Sequence, residues 1–574
     1  MLRSAMRQPR AWPMLLVGGL AYLLWSAGTF AWYLAFDRVT PLPEYLFRLQ
    51  DMPVLIALGV GLVALIPAAD RRGAPFAPSS GRVIAMAAII AVLAARLGRD
   101  AVFHGYSPSR DELMVELAGA YLADGHIGWP IPAEWLPYAR AMMPEFYSPY
   151  GADAVWTSIY LPVHAAIRAL FALLGDADFA APAMLAVGLA ALWDVARRLF
   201  PDRADARIVV MLMALTSTQL VATAMTPYAM TSHFALNMVW LALVLRGGIL
   251  ANLCAAAVLI AAAGLHQWHF PALFAGPVIL WMLWRRQWPS ALAQIAALLA
   301  AVLIWAKLWP MLLAYLLGPP VGGVARGAPG VGAKVASLFG RLDKWQPLLN
   351  IGRLIAWNNA LLLPLGALSI ARLPRRFAWL RDPPIILPLL MMVLIGFALA
   401  LYQGYGWGFR YMHGQIGALC LLAGYGWTVL SRDGERSMRL VWGASAMSLA
   451  AMAYLLGSTE HYVRGYARTI AAMRASGADV VLVDIRGGYF MTDLVRFANG
   501  RPGRPAIMSL AMLNKRQLGQ LCRTHDVALI DYRQFWALGV HPVSPVVREG
   551  AWLDSLHREM ARLGCGRLVI PPSR

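Results

Sequence analysis

The fold of this chain is decided by its first apolar run, WPMLLVGGLAYLLWSAGTFAWYLAF (residues 12–36), which contains no charged residue. A helix of this length reaches across the hydrocarbon core of a bilayer, which is roughly 30 Å thick. Arg3, Arg7 and Arg10 precede the run, and no small-residue cleavage site follows it. We therefore expect a retained first membrane span with the N-terminus in the cytoplasm.

Similar apolar runs recur as far as residue 457 of the 574-residue chain. Hydrophobic residues make up 59% of the sequence and charged residues only 14%, whereas soluble domains carry about 25% charged residues. This composition excludes a soluble enzyme and predicts an all-α polytopic membrane protein. We expect about thirteen crossings. If every apolar run crossed the membrane, Arg197 and Arg285 would lie outside, against the positive-inside rule. We therefore expect that the run 155–174 or its neighbour does not cross.

The net charge of +20 comes from 50 basic and 30 acidic residues. Positive-inside loops account for such an excess in a membrane protein, so we predict no nucleic-acid partner. The four cysteines contain no CxxC pair. Their spacing predicts neither a disulfide framework nor a metal site.

The sequence pattern changes after Gly457. Short apolar strand patterns at 479–484, 505–510 and 527–531 alternate with amphipathic stretches, which lie near 491–499, 514–524 and 551–563. This alternation predicts a small α/β domain. We therefore divide the chain into a transmembrane domain, residues 1–458, and a soluble α/β domain, residues 459–574, on the exoplasmic side.

The predicted exoplasmic loop 99–154 is acidic within a basic chain. It contains three basic and eight acidic residues, a net charge of −5. Outward-facing loops are allowed to be acidic, so these carboxylates need not have a common purpose. The alternative is that the loop uses some of them for chemistry.

Two of these carboxylates, Asp111 and Glu112, stand at the start of an amphipathic stretch, 113–122. The helix dipole stabilises a carboxylate at that place, and such a group can accept a proton from an acceptor hydroxyl. Ser109 precedes the pair with the spacing of a capping box. A catalytic pair and an ordinary helix cap both remain open.

The loop carries three short motifs in order: Arg110-Asp111-Glu112, Ala-Asp-Gly at 123–125 and Tyr-Ser-Pro-Tyr at 147–150. An apolar run and a fourth motif, Leu-Leu-Gly at 173–175, follow the loop. This order resembles the first exoplasmic loop of GT-C glycosyltransferases. It is most similar to the branch of protein O-mannosyltransferases and lipid A aminoarabinose transferases. The similarity covers roughly residues 82–430, and it implies a GT-C-like transmembrane fold.

The resemblance implies a polyprenyl-phosphate-linked sugar as donor, an active site at the exoplasmic membrane surface and an inverting transfer. It assigns Asp111 to binding or deprotonating the acceptor, with Glu112 beside it. The candidate contacts to the acceptor or sugar are Tyr147, Tyr150, Asp153 and His233.

This chain departs from the family pattern in two respects. Two apolar runs precede the family's usual first span. Many relatives carry a further acidic residue in the exoplasmic turn that here spans residues 226–233, and this turn has none. A divalent metal is therefore possible but unsupported, and no metal ligand is assigned.

His266 and His269 stand three residues apart at a predicted outer membrane boundary. Spacing of three places both side chains on one face of a helix, where they can contact a phosphate or other substrate group. Packing at the membrane interface is an alternative, and so is a metal site, although no third ligand is evident nearby.

Arg410 follows a stretch in which Gly404, Gly406 and Gly408 alternate with aromatic residues. An arginine fork suits phosphate oxygens, and an arginine near this helix end commonly contacts the lipid phosphate in the resembling family. A snorkelling interfacial arginine is the alternative. Tyr411 and Lys307 are further candidates for the donor phosphate.

The sequence thus predicts a multi-pass inner-membrane glycosyltransferase with its active site and C-terminal domain on the periplasmic side. Its partners are the lipid bilayer, a polyprenyl-phosphate sugar donor and an acceptor that is a lipid, a glycan or a protein. Two other functions remain as alternatives. One is a transporter or flippase of a lipid-linked sugar, and the other is a noncatalytic subunit of an envelope polysaccharide assembly machine.

Overall fold

The structure is a computed structural model that describes residues 10–35, 45–70, 80–321, 346–373, 382–400, 403, 406–431, 438–486, 488, 490–496, 505–540 and 550–570. The helices of the first half are α1 (Ala11–Ala35), α2 (Met52–Ala64), α3 (Ile66–Ala69), α4 (Ser80–Ala101), α5 (Arg110–Ala123), α6 (Ala139–Met142), α7 (Val163–Leu173), α8 (Ala180–Leu199), α9 (Ala204–Leu215), α10 (Thr218–Ala224), α11 (Met230–Arg246) and α12 (Ile249–Ala263).

The second half continues with α13 (His269–Trp284), α14 (Trp288–Leu303), α15 (Trp309–Leu317), α16 (Gln346–Ala356), α17 (Leu362–Leu368), α18 (Ile386–Ala400), α19 (Ile416–Leu430), α20 (Arg439–Ala475), α21 (Lys515–Thr524), α22 (Tyr532–Ala537) and α23 (Gly550–Arg562). The strands are β1 (Trp129–Pro130), β2 (Tyr147–Tyr150), β3 (Val155–Ser158), β4 (Val480–Val483), β5 (Ala506–Ser509), β6 (Val527–Ile530) and β7 (Arg567–Leu568).

Several helices are long and apolar enough to cross a membrane. Within the described residues six meet the requirement by length and composition, namely Ala11–Ala31, Phe47–Ala64, Gly81–Ala101, Ala177–Leu199, Trp288–Leu317 and Arg439–Ala475. The pair α9 and α10 meets it together, with a bend of 52°. The protein is therefore a polytopic membrane protein, as predicted, while the count of about thirteen crossings stays a prediction.

The apolar run 155–174 does not form a membrane span. Its first part is strand β3, and its second part is α7, which has 11 residues. A crossing helix needs about 20 residues, so this run is too short, whereas the neighbouring helix Ala177–Leu199 passes the test. The sides on which the loop arginines lie stay a prediction.

The residues form two compact units. The first comprises Met1–Leu97, Phe179–Leu308 and Pro329–Leu456. Within it α8 packs along α11, α17 packs against α19, and α1 packs against α2. At the crossing of α1 and α2, a Cβ added to Gly19 would lie 2.8 Å from the carbonyl oxygen of Gly59, so these helices approach with their backbones in contact.

The second unit comprises Gly98–Asp178, Trp309–Ala328 and Gly457–Arg574. Its smaller sheet is antiparallel with the order β1-β3-β2, and α5 packs against α7. This unit therefore contains the acidic loop together with the residues after Gly457. The predicted functional division at residue 458 stays a prediction.

The C-terminal part of the second unit contains a parallel sheet with the order β5-β4-β6-β7. The three predicted strands are confirmed as β4, β5 and β6, and the predicted helices near 514–524 and 551–563 are confirmed as α21 and α23. All four residues in each of these three strands are buried, which explains their continuous apolar patterns. The C-terminal α/β domain is confirmed.

Three sequence expectations in this region need correction. The stretch 491–499 forms only a short 3-10 turn, Met491–Leu494, and residues 497–499 lie outside the described residues. The last predicted span, 437–457, belongs to the longer helix α20, which continues to Ala475. Cys522 and Cys565 form a disulfide with a Cα–Cα distance of 5.4 Å, although sequence spacing predicted none.

Candidate functional site

The capping box at the start of α5 is present in full. Ser109 is the N-cap, and its hydroxyl accepts a hydrogen bond from the backbone N–H of Glu112. In return, a carboxylate oxygen of Glu112 accepts from the backbone N–H of Ser109 at 2.8 Å. Because Glu112 is fully buried in this arrangement, its carboxylate supports the helix start.

Asp111 has a different environment from that of its neighbour. It is half-buried, and one of its carboxylate oxygens accepts a hydrogen bond from the hydroxyl of Tyr160. The capping-box hydrogen bonds are made by Ser109 and Glu112. The carboxylate of Asp111 is therefore the better placed of the two to meet a ligand.

Other carboxylates of the acidic loop form ion pairs. Glu116 lies 3.6 Å from Arg99, Asp153 lies 3.0 Å from Arg140, and Glu145 pairs with Arg110. Burial raises the pKa of Glu116, but Arg496, Arg99 and the Ser107 hydroxyl outweigh it and hold the pKa below its usual value. Much of the acidic excess is thus used to hold the loop together.

The three predicted contacts that follow Glu145 lie on or beside the small sheet. Tyr147 is buried in β2, and burial raises the pKa of its hydroxyl well above the ordinary value. Tyr150 ends the same strand and is half-buried, and Asp153 pairs with Arg140. Tyr147 is therefore part of the core, and Tyr150 is the more accessible tyrosine.

A pocket in the first unit surrounds Arg410. It contains about 340 Å³ of empty space, part of it open to solvent. Its lining combines cationic or titratable groups, amides and apolar residues: Met230, His233, Asn237, His266, Phe270, Arg410, Tyr411, Gly414 and Gln415. A guanidinium with two imidazoles and two amides suits an anion, because each can donate hydrogen bonds to oxygen.

The Arg410 side chain is held by two aromatic rings. One guanidinium nitrogen donates to the hydroxyl of Tyr228 at 3.1 Å. The guanidinium carbon lies 5.3 Å from the centre of the Tyr228 ring and 5.2 Å from the centre of the Tyr411 ring. These cation–π contacts restrict the guanidinium before any ligand arrives.

Two buried glutamines hold the backbone on both sides of Arg410. Gln219 donates to the carbonyl of Phe409 at 2.7 Å and accepts from its N–H at 3.1 Å. Gln403 donates to the carbonyl of Gly408 at 3.0 Å and accepts from the N–H of Tyr411 at 3.0 Å. We refer to Gln219 and Gln403 as the glutamine clamp.

Two glycines before Arg410 make this arrangement possible. Gly408 has a φ of +66°, and an added Cβ would lie 2.7 Å from the side-chain oxygen of Gln219. Gly406 has a φ of +157°, and an added Cβ would lie 2.7 Å from Cδ of Arg410. Glycine is needed at both places because an L side chain is strained and crowded there.

The expectation that His266 and His269 share a helical face is wrong. Helix α13 begins at His269, and His266 lies in the turn after α12. His266 lines the pocket together with His233, which comes from α11, and His269 does not. Because a turn separates the two histidines, a spacing of three residues does not place them on one helical face.

The remaining phosphate candidates have separate positions. Tyr411 lies in the pocket. Lys307 is exposed in a π-helical turn, Ile304–Leu308, and it is not among the lining residues of the pocket. No group of three or more potential metal ligands occurs in the part of the chain that the structure describes.

Sequence reasoning missed several residues of these sites: Tyr160, Tyr228, Asn237, Gln219 and Gln403. A polar amide within an apolar segment is costly, so Gln219 and Asn237 carried a detectable signal. The two tyrosines carried none, because aromatic residues are common at membrane interfaces.

No protein-family model matches the sequence, and no curated protein matches it. Among solved structures, ArnT from Cupriavidus metallidurans in the apo state matches with a TM-score of 0.51 and 12% identity, covering 80% of this chain and 95% of ArnT. ArnT bound to undecaprenyl phosphate matches with a TM-score of 0.46 and 14% identity, covering 73% of this chain and 85% of that one. The match to the apo-state structure confirms the GT-C-like fold expected from the sequence, and this chain shares the ArnT fold.

Proposed function

We propose that this protein is an integral-membrane glycosyltransferase that moves a sugar from a polyprenyl-phosphate-linked donor to an acceptor hydroxyl. The observation that carries the proposal is the pocket around Arg410. Its pre-organised guanidinium stands with His233 and His266 beside the apolar side chains of Met230 and Phe270. A lipid phosphate combines an anion with a hydrocarbon chain, and such a surrounding suits both parts.

Arg410 and Asp111 have separate roles in the proposed chemistry. In the proposed reaction, the acceptor oxygen attacks the anomeric carbon, and the bond between that carbon and the phosphate oxygen breaks. The phosphate leaves with the electron pair, and Arg410 stabilises its charge. The proton of the acceptor hydroxyl passes to Asp111. A single displacement of this kind inverts the anomeric configuration.

The proposal also places the C-terminal domain on the periplasmic side of the membrane. A disulfide persists in an oxidising compartment and is rare in the cytosol, so the Cys522–Cys565 bond favours a periplasmic C-terminal domain. The other two cysteines, Cys254 and Cys420, are free. Denatured protein taken directly from cells should therefore bind two maleimide–polyethylene glycol chains without reductant and four after reduction. Four labels without reductant would place the domain in a reducing compartment.

The activity test uses purified protein in vesicles that contain undecaprenyl-phosphate-linked sugars, with an envelope extract as acceptor source. Transfer should release undecaprenyl phosphate in an acceptor-dependent manner. Asp111→Asn should reduce the rate by about 10²- to 10⁴-fold, the usual contribution of a general base. Asp124→Asn is the matched control, because Asp124 is an exposed carboxylate at the other end of α5.

The outcomes separate the candidate functions. A flippase moves the lipid-linked sugar across the vesicle membrane and releases no undecaprenyl phosphate, and an assembly subunit does neither. Full activity of Asp111→Asn, expressed and folded normally, would contradict the role assigned to this residue.

A further inference from the structure

The segment that follows strand β4 leaves the parallel sheet at its carboxyl edge. In folds of this kind, the loops at this edge commonly carry functional groups. Here the loop leads to Phe490–Arg496, which we call the docking segment. Phe490 has a φ of +55°, in the left-handed region that non-glycine residues seldom occupy. Such a conformation persists only where the surrounding contacts hold it.

The docking segment contacts the first residue of α5. A carboxylate oxygen of Asp493 lies 3.5 Å from Nε of Arg110, and the Phe490 ring centre lies 5.6 Å from the Arg110 guanidinium carbon. Thr492 donates a hydrogen bond to Glu145 at 2.9 Å, and Glu145 in turn pairs with Arg110. Arg110 is therefore held from several sides.

The same segment also holds the chain just before α5. The Arg496 guanidinium donates to the backbone carbonyl of Ser107 at 2.7 Å and lies 4.5 Å from the centre of the Tyr106 ring. Arg496 is only 7% exposed. Because Ser107 stands two residues before the N-cap Ser109, the helix start is anchored on both sides of its cap.

The contact contains a buried carboxylate. The side chain of Asp493 has no exposed surface. Burial raises its pKa to about 7, against the lowering effect of Arg110, while Glu145 acts in the same direction as burial. A buried carboxylate is tolerated when a cation accompanies it. The docking segment therefore brings a buried carboxylate to the Arg110 guanidinium, at 3.5 Å.

We propose that the docking segment of the C-terminal α/β domain positions Asp111 by fixing Arg110 and Ser107 on either side of the helix cap. This inference rests on the proposed role of Asp111. Asp111 follows Arg110 directly in the first helical turn, so the direction of its carboxylate depends on where that turn is held. The C-terminal domain thereby becomes a structural part of the acidic-loop site.

A cross-link tests the contact itself. Thr492→Cys combined with Glu145→Cys should be joined by a short bis-maleimide cross-linker, since the native side-chain oxygens are 2.9 Å apart and the two positions therefore face each other. Mass spectrometry of peptides distinguishes the new cross-link from the native Cys522–Cys565 bond. Failure to form it in the folded protein overturns the proposal.

Two measurements on Arg496→Gln test positioning. Hydrogen exchange in the peptide 107–123 should rise at least tenfold, with exchange in the strands of the parallel sheet unchanged. In the vesicle assay with undecaprenyl-phosphate-linked sugars, kcat should fall at least tenfold while KM for the donor changes less than twofold. Arg533→Gln is the matched control, because Arg533 pairs with Asp554 on the surface of the same domain.

Rescue separates positioning from a general loss of structure. Adding the Thr492→Cys and Glu145→Cys pair to Arg496→Gln and joining it with the same bis-maleimide cross-linker should restore at least half of the lost kcat. An unchanged kcat in Arg496→Gln, with Asp111→Asn inactive, overturns this inference alone. Full activity of Asp111→Asn overturns the proposed role of Asp111 instead, whatever the cross-link shows.

Discussion

Replacing Gln219 with leucine should release the backbone that precedes Arg410. The side chain satisfies both backbone groups of Phe409, at 2.7 and 3.1 Å, and Gln219 and Phe409 are fully buried. Each orphaned buried group costs about 1–3 kcal/mol, so Gln219→Leu should lower the free energy of unfolding by about 2–6 kcal/mol. Ordering one freed residue again costs about 1–2 kcal/mol, which weakens ligand binding by about five- to thirty-fold.

Gln294→Leu provides a matched control in the same unit. Gln294 is also fully buried, accepts from the Trp240 indole at 3.0 Å and donates to the Asn252 carbonyl at 3.1 Å. Its removal also orphans one donor and one acceptor, but neither belongs to the residues that line the pocket. Both variants should therefore lose similar thermal stability in detergent, and only Gln219→Leu should lose affinity for the pocket ligand.

The assay is a titration with undecaprenyl phosphate, followed by native mass spectrometry at a temperature where both variants are folded. Arg410→Gln gives the dissociation constant expected when the guanidinium is lost. Equal dissociation constants for Gln219→Leu and Gln294→Leu would refute the idea that the glutamine clamp holds Arg410. Unchanged melting temperature in Gln219→Leu would refute the energetic reasoning.

Three further predictions concern other positions. Gly406→Ala places a Cβ 2.7 Å from Cδ of Arg410, and the off-rotamer shift should weaken undecaprenyl phosphate binding by about two- to tenfold in the same titration. Asp493, with a pKa of about 7 in the folded protein and about 3.9 unfolded, binds more protons when folded. Its contribution to stability therefore decreases as the pH rises from about 4 to about 7, so the melting temperature of the wild type relative to Asp493→Asn should fall across that window and stay level above it. Replacing Cys522 and Cys565 together by serine opens a link across 43 residues and should cost about 4 kcal/mol of unfolding free energy, measured by thermal denaturation that responds to reductant only in the wild type.

Much of the fold could be predicted because its signals are local. The length of an apolar run is enough to indicate a membrane span, and the continuous apolar residues of β4, β5 and β6 are enough to indicate buried strands. The sequence raised doubt about a crossing by the run 155–174 or its neighbour because loop arginines carry information about sidedness, and the helix formed by this run has only 11 residues. The bond between Cys522 and Cys565 could not be predicted, because pairing depends on how α21 and the end of α23 approach.

The candidate pocket was predicted only in part for the same reason. Arg410 was identifiable as a charge at the edge of an apolar run, whereas its partner Tyr228 lies 182 positions away in the sequence. The clamp residue Gln219 lies 190 positions from Phe409. The His266 and His269 spacing misled because periodicity applies only inside a continuous helix, and α13 begins at the second of the two.

The pair Asp111 and Glu112 shows how a helix cap and a proposed catalytic carboxylate can occupy neighbouring positions without competing. Consecutive residues of a helix do not face the same side, so the two carboxylates cannot have one environment. The capping box requires the residue three positions after Ser109, which fixes Glu112 as the buried partner and directs its charge to the helix start. Asp111 is then left half-buried against Tyr160. The helix cap and the proposed catalytic role are therefore compatible, since the cap made by Glu112 fixes the helical turn from which Asp111 projects.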